Sequence, residues 1–169
     1  SGCSHNGVYA FSRIKITKTK TIMATTTASL TLTSTDLFDD SLSISNTSTC
    51  YKAGTTIGLD QTTGLTKTYV TAVTQFDPFP AVKGATNANE NGKVYISNLS
   101  EDETEYIIVT IGDLVIGRLY AGDFMWMPWS PKLQHVNDIE ITPSVASGMW
   151  VEFMAIHNFA NIYPDSADS

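Results

Sequence analysis

The chain of 169 residues and 18.4 kDa has the length of a single domain. Only 16% of its residues are charged, and a net charge of −7 argues against the basic face that bulk nucleic-acid binding requires. No run of about 18 apolar residues occurs, so we predict no membrane-spanning helix. Threonine is abundant, with 23 residues of which 19 precede position 75, and its branched side chain favours β structure.

The first 22 residues differ in charge from the rest of the chain. Four of the ten basic residues lie within eight positions there: Arg13, Lys15, Lys18 and Lys20. No acidic residue precedes Asp36, and the alternation of basic with apolar residues predicts an exposed strand or an extended arm. Two interpretations are open: an arm that docks on an acidic neighbour, and an edge strand whose lysines discourage aggregation.

The two cysteines, Cys3 and Cys50, have neither a CxxC partner nor clustered histidines, which argues against a structural zinc site. A disulfide between them is geometrically possible, but we expect both to be free thiols. The chain opens on Ser-Gly-Cys without an apolar segment, so we predict no secretory signal and synthesis in the cytoplasm.

Short strands alternate with turns along the chain. In order, strands are predicted at residues 29–33, 41–45, 65–76, 93–98, 105–111, 114–119, 124–126, 136–142 and 149–157. Turn signals such as residues 60–64, 112–113 and 121–123 separate them, and no helical periodicity is sustained. This pattern predicts an all-β fold, an antiparallel β-sandwich or jelly roll.

We divide the chain into three parts on this basis. An extended basic N-terminal arm covers residues 1–22, the β-sandwich domain covers residues 23–163, and a flexible C-terminal tail covers residues 164–169.

Motifs for common enzyme chemistry are absent, since the sequence holds no GxSxG, HExxH, GxGxxG or P-loop. The histidines His5, His135 and His157 are scattered, and His157 ends a strand of core type, which favours a structural role. We therefore expect a protein that is not an enzyme, with no catalytic residue, no cofactor and no bound metal.

The acidic residues, most of them in the turn at residues 101–105, leave two alternatives to that expectation. A calcium site is one, because Ca²⁺ takes several carboxylate and carbonyl oxygens, but the run lacks EF-hand spacing. A carbohydrate hydrolase acting through Glu101, Asp102 or Asp123 is the other.

The segment at residues 124–129 holds two of the three tryptophans and two of the five methionines. Trp126 and Trp129 are therefore either core anchors or part of an apolar contact patch, since Trp and Met are enriched at interfaces. Trp150 lies on the opposite strand face from Met149 and Val151, and this alternation predicts that it is exposed. The candidate interface residues are Arg13, Lys15, Lys18, Lys20, Trp126, Trp129 and Trp150.

Several stretches resemble the small structural proteins of tailed bacteriophages. Residues 23–26, 30–37, 42–44 and 53–59 resemble their opening. Residues 93–99 resemble their strand with tyrosine, isoleucine and asparagine, and residues 118–124 and 127–129 resemble their turn with glycine, an acidic residue, proline and tryptophan. Residues 138–141 and 151–154 resemble their last two strands. Residues 1–22 depart from the pattern, which suggests an added arm.

The resemblance implies a β-sandwich that serves as a capsid decoration, or cement, protein. Such a protein binds the major capsid protein on the outer surface of the virion, often as a homotrimer, and is made in the host cytoplasm. It implies neither nucleic acid nor membrane as a partner. The alternative is a tail or head-fibre module that binds receptors, with an exposed aromatic such as Trp150 stacked on host surface glycans.

Overall fold

The computed structural model describes residues 25–37, 40–71, 75–80, 91–130 and 138–159. Outside these ranges lie Cys3, the basic residues Arg13, Lys15, Lys18 and Lys20, the predicted tail, and parts of the strands predicted at 65–76 and 136–142.

The described residues form ten strands and no helix. In chain order the strands are β1 (Thr27–Ser34), β2 (Leu42–Thr49), β3 (Gln61–Thr62), β4 (Thr66–Val70), β5 (Gly92–Asn98), β6 (Tyr106–Ile111), β7 (Leu114–Tyr120), β8 (Phe124–Pro128), β9 (Ile139–Pro143) and β10 (Met149–His157). The pairs between them are antiparallel, so the predicted all-β antiparallel class is confirmed. In this part of the chain no helix exists that could span a membrane.

The strands are distributed over three sheets. β10 is the centre of a five-stranded sheet, because it pairs with β5 along one edge and with β4 and β3 along the other. β8 extends that sheet beyond β5. β6 lies between β7 and β9 in a three-stranded sheet, and β1 and β2 form a separate two-stranded hairpin.

The two larger sheets pack on one shared core, and side-chain alternation along each strand decides which residues enter it. In β10, Met149, Val151, Phe153 and Ala155 are buried, whereas Trp150 between them is exposed. The same core contains side chains from both sheets: Val94 and Ile96 of β5, Ile107 and Val109 of β6, and Ile139 and Ile141 of β9. Because the inner faces of two sheets share one core, the arrangement is that of a β-sandwich.

Two predicted boundaries differ from the structure for a tertiary reason. The strand predicted at 65–76 ends at Val70, which pairs with Met149 in the five-stranded sheet. Phe76 instead forms an isolated bridge with Ile141 of β9, so the chain changes sheets between these positions. The turn predicted at 60–64 contains β3, because β10 is nine residues long and pairs with a second short strand beyond β4.

The side chain of Asn98 connects the two sheets where β5 ends. Its Nδ2 donates hydrogen bonds to the carbonyl oxygens of Leu119 in β7, at 3.0 Å, and of Glu105, at 3.4 Å. Its Oδ1 accepts a hydrogen bond from the backbone N–H of Ser100 at 2.9 Å. Asn98 is fully buried, and both polar atoms of its amide have partners.

Replacing Asn98 should therefore destabilise the sandwich. We expect Asn98→Ala to lower the free energy of unfolding by about 2–4 kcal/mol, because two carbonyls lose a buried donor and a cavity remains. Asn98→Asp should be similarly harmful, since a carboxylate cannot donate to those carbonyls. Urea denaturation followed by circular dichroism measures the change. The exposed Gln75→Ala should shift stability by only about 0.5 kcal/mol, and equal midpoints for both alanine variants would contradict the role of Asn98.

Candidate interaction surface

Five aromatic side chains lie on the outer face of the five-stranded sheet. They are Tyr69 of β4, Tyr95 of β5, Phe124 and Trp126 of β8, and Trp150 of β10. The strand register places Trp150 opposite Tyr69 and Tyr95 opposite Trp126. Their sequence neighbours face the core, so period-two alternation turns these five residues outward. We call this surface the aromatic face.

Trp150 is exposed, in agreement with the predicted alternation. Its ring meets that of Tyr69 edge-on, with centroids 5.3 Å apart, and the Tyr69 hydroxyl donates to the carbonyl of Ser147. The Nζ atom of Lys67 lies 5.2 Å from the Trp150 ring centroid, and Glu152 is the cross-strand partner of Lys67. The result is an anchored aromatic pair flanked by one cation and one carboxylate.

Trp126 and Trp129 occupy different environments, although only three positions separate them. Trp126 is 36% exposed on the aromatic face, whereas Trp129 is 5% exposed. The Trp129 ring packs on Phe79 and Phe159, at centroid distances of 5.2 and 6.3 Å. The core-anchor alternative therefore describes Trp129, and the contact-patch alternative does not. Alternation along β8 turns Met125 and Met127 toward the core, and Trp129 continues this inward series just after the strand ends.

Gly92 makes room for the buried position of Trp129. The N–H of Trp129 donates to the Gly92 carbonyl at 3.0 Å. A Cβ atom at Gly92 would lie 2.7 Å from the Trp129 carbonyl oxygen and 2.6 Å from the Phe159 ring. Any larger side chain at position 92 would therefore displace the Trp129 backbone or the Phe159 ring from its present position.

The β1–β2 hairpin has two chemically different faces. One, the hydroxyl face, consists entirely of Ser and Thr: Thr27, Ser29, Thr31 and Thr33 in β1, and Ser43, Ser45, Thr47 and Thr49 in β2. The other, the apolar face, carries Ala28, Leu30, Leu32 and Ser34 in β1, and Leu42, Ile44, Asn46 and Ser48 in β2. The sequence predicted the alternation, but only the register shows that the leucines of β1 share a face with Ile44.

A groove of about 450 Å³ separates the apolar face of the hairpin from the aromatic face. Leu30 and Leu32 line one wall, and Phe124 and Trp126 line the other. We call this the hairpin groove. Leu30, Leu32 and Ile44 remain 45–47% exposed, so the fold covers the apolar face only in part.

β7 presents a second apolar surface, at the edge of the three-stranded sheet. Three consecutive residues are exposed there: Leu114 at 71%, Val115 at 66%, and Ile116. Within the described ranges β7 pairs only with β6, through a register shift that follows Val109, so its other edge has no strand partner. The sequence predicts this strand, whereas its exposure emerges only in the structure. A run of apolar residues without alternation was the available signal.

His157 is buried and structural in this fold. Its Nδ1 accepts a hydrogen bond from the backbone N–H of Phe159 at 3.2 Å, and the two rings stack at 4.9 Å. Burial lowers the pKa of His157, opposed by the charge of Asp60. The imidazole is thus held neutral and packed, as the structural interpretation predicted. Burial also raises the pKa of Cys50, whose thiol is free, as expected.

Two of the carboxylates considered for catalysis or calcium, Asp102 and Asp123, accept hydrogen bonds within turns. The Asp102 carboxylate accepts hydrogen bonds from the N–H and the hydroxyl of Thr104, which lowers the pKa of Asp102. Asp123 accepts from the N–H of Tyr120. Among the residues with described positions, no three His, Cys, Asp or Glu side chains are grouped so that they could hold a metal ion.

A cluster of acidic residues at one end of the sandwich was not predicted. Asp77, Asp113, Asp138 and Glu140 line one shallow pocket. Partial burial, together with the charges of these three aspartates, raises the pKa of Glu140. The residues come from distant parts of the sequence, so only the fold brings them together.

Comparisons with protein-family models, with curated proteins and with solved structures found no match to this chain. The resemblance to phage structural proteins therefore stays a prediction.

The contrast between Trp126 and Trp129 is testable. We expect Trp129→Ala to lower the free energy of unfolding by about 3–5 kcal/mol, because it empties a buried aromatic site. Trp126→Ala should cost about 1 kcal/mol or less, since a third of that side chain is already in water. Chemical denaturation of both variants measures the difference. Equal losses of stability would contradict the assignment of Trp129 to the core and Trp126 to the surface.

Proposed function

We propose that this protein is a non-enzymatic structural component of a bacteriophage virion that binds the outside of the capsid as a decoration protein and stabilises the head. The observation that carries this proposal is the apolar outer edge of β7, which has no strand partner among the described residues. Leu114, Val115 and Ile116 are exposed together on that strand. Natural edge strands are normally protected by charge, proline or a covering segment, so an apolar edge of this kind is typical of a contact with another chain.

Strand addition gives a physical basis for this contact. The outer edge of β7 offers backbone N–H and C=O groups at strand spacing, and a capsid strand laid beside it would pair with them. The exposed side chains would then supply apolar contacts to the shell. Arg118, whose guanidinium lies 4.8 Å from the Tyr106 ring centroid, is the one charged residue of β7.

Two features of the sequence support the same proposal. The resemblance to phage structural proteins includes residues 118–124, which overlap the end of β7 and the start of β8. The basic residues at positions 13–20 contrast with a chain whose net charge is −7, and they would suit an acidic surface on the capsid or on a neighbouring subunit.

The test uses purified particles of the phage that encodes the chain. We expect deletion of residues 1–22 to weaken capsid occupancy, because the arm contributes the basic charge. Replacing Val115 by Lys should weaken capsid binding at least tenfold, about 1.4 kcal/mol, by placing a charge at the apolar edge.

Ser43→Lys is the matched control, because it adds the same charge on the hydroxyl face of the hairpin, away from β7. Occupancy that is unchanged by Val115→Lys would contradict binding through β7, and occupancy that is unchanged by the deletion would contradict a role for the arm. Turnover of a bacterial surface polysaccharide would contradict the non-enzymatic role.

A receptor-binding module that contacts host glycans is the second candidate, and the exposed pair of Trp150 and Tyr69 favours it. Indole and phenol rings present flat apolar surfaces to sugar rings, and Lys67 and Glu152 offer hydrogen-bonding groups beside them.

A glycan array with the full chain tests this alternative. Binding through the pair predicts an array signal that is lost in Trp150→Ala and retained in Tyr120→Ala, which removes an exposed aromatic from the other sheet. Absence of any signal, or equal signals from the two variants, would contradict glycan binding at Trp150.

A further inference from the structure

We infer that the hairpin groove is a contact between two copies of this chain, in which the apolar face of one copy's hairpin packs against the other copy. This inference concerns a different surface from β7 and does not rest on the proposed capsid role. The hairpin has one face of eight Ser and Thr residues and one apolar face.

The hairpin is incompletely packed in a single copy. A two-stranded hairpin alone is only marginally stable in water, and stability requires further strands or packing of its apolar face. The groove of about 450 Å³ lies between that face and β8. Leu30 and Leu32 line the groove and keep almost half of their surface in contact with solvent, as does Ile44, the cross-strand partner of Leu32. An occupant of the groove would remove this apolar surface from water.

The exposed apolar area reaches the lower limit of what association of two copies requires. The exposed parts of Leu30, Leu32, Ile44, Phe124 and Trp126 amount to roughly 500 Å², which is near the upper end of apolar patches on monomers. Burying this patch on two copies would remove roughly 1,000 Å², the lower limit for a specific interface. Polar contacts at the rim of the groove would add to it, because Asn46 and Ser48 line the same groove.

Charge favours a second copy over other occupants. Among the described residues, no ionisable side chain lines the hairpin groove. Two chains that each carry a net charge of −7 repel each other in most orientations, and a face without charge is where they approach at least cost. An apolar patch is also complementary to itself, whereas a contact with a differently charged partner would call for charges that this surface lacks.

The test is the mass of the full-length protein in solution, measured by multi-angle light scattering over a range of concentrations. We expect the wild-type mass to be a multiple of the 18.4 kDa chain. The double variant Leu30→Asp, Leu32→Asp should weaken self-association about 100-fold or more, because it places carboxylates in an apolar contact, and its mass should fall to that of one chain.

The double variant Thr31→Asp, Thr33→Asp is the matched control, since it adds the same charges to the same strand on the hydroxyl face. It should keep the wild-type mass. Phe124→Asp, on the other wall of the groove, should dissociate the copies as the leucine variant does. Near-ultraviolet circular dichroism verifies that each variant keeps its packed core.

Hydrogen exchange distinguishes association from a change in folding, because association protects only the amides at the contact. Amides of residues 27–49 should gain protection as the wild-type concentration rises, whereas amides of the β10 core should not change. A wild-type protein that stays at 18.4 kDa at every concentration would overturn the inference and point to another occupant of the groove. A leucine variant with the wild-type mass, or a control that dissociates equally, would overturn it as well.

Discussion

The buried amide of Asn98 is the constraint on which the placement of the two sheets depends. It lies at the end of β5 in the five-stranded sheet and donates to Leu119 in the three-stranded sheet. A buried amide of this kind is costly unless each of its polar atoms finds a partner, so it tolerates only a narrow range of relative positions of β5 and β7. The backbone of Asn98 also bonds to the turn between β7 and β8, at Gly122 and Asp123. The position of β8, and with it Phe124 and Trp126, therefore follows from the same connection.

β10 organises the rest of the five-stranded sheet, because three strands pair with it. Its nine residues alternate between the core and the aromatic face. In each strand that pairs with β10, a residue faces the same side of the sheet as the β10 residue opposite it. A shift of one residue in the register of β4 would exchange Val70 with Tyr69 and bury a phenol against the core. Packing of the core thus fixes the register of these strands, and the register in turn fixes which aromatic side chains point outward to form the aromatic face.

The exposed apolar surfaces lie on different parts of the sandwich. The edge of β7 belongs to the three-stranded sheet, and the hairpin groove lies on the outer face of the five-stranded sheet. The proposed capsid contact uses the first of these surfaces, and the inferred contact between copies uses the second. The low charge of the chain fits this use, since contacts made by shape and apolar area need few charged residues.

Local alternation and turn chemistry by themselves determined the all-β class, the positions of most strands, the outward direction of Trp150 and the structural role of His157. These properties depend on neighbours along one strand, and period two is visible in the sequence. Only the tertiary structure decided that Trp129 packs on Phe79 and Phe159, that Phe76 bridges to Ile141, and that the leucines of the hairpin remain half exposed. These outcomes depend on which strands pair, and on partners far away in the chain such as Gly92 and Phe159. Strand pairing depends on the whole sheet, and the sequence of a single strand does not specify which strand it pairs with.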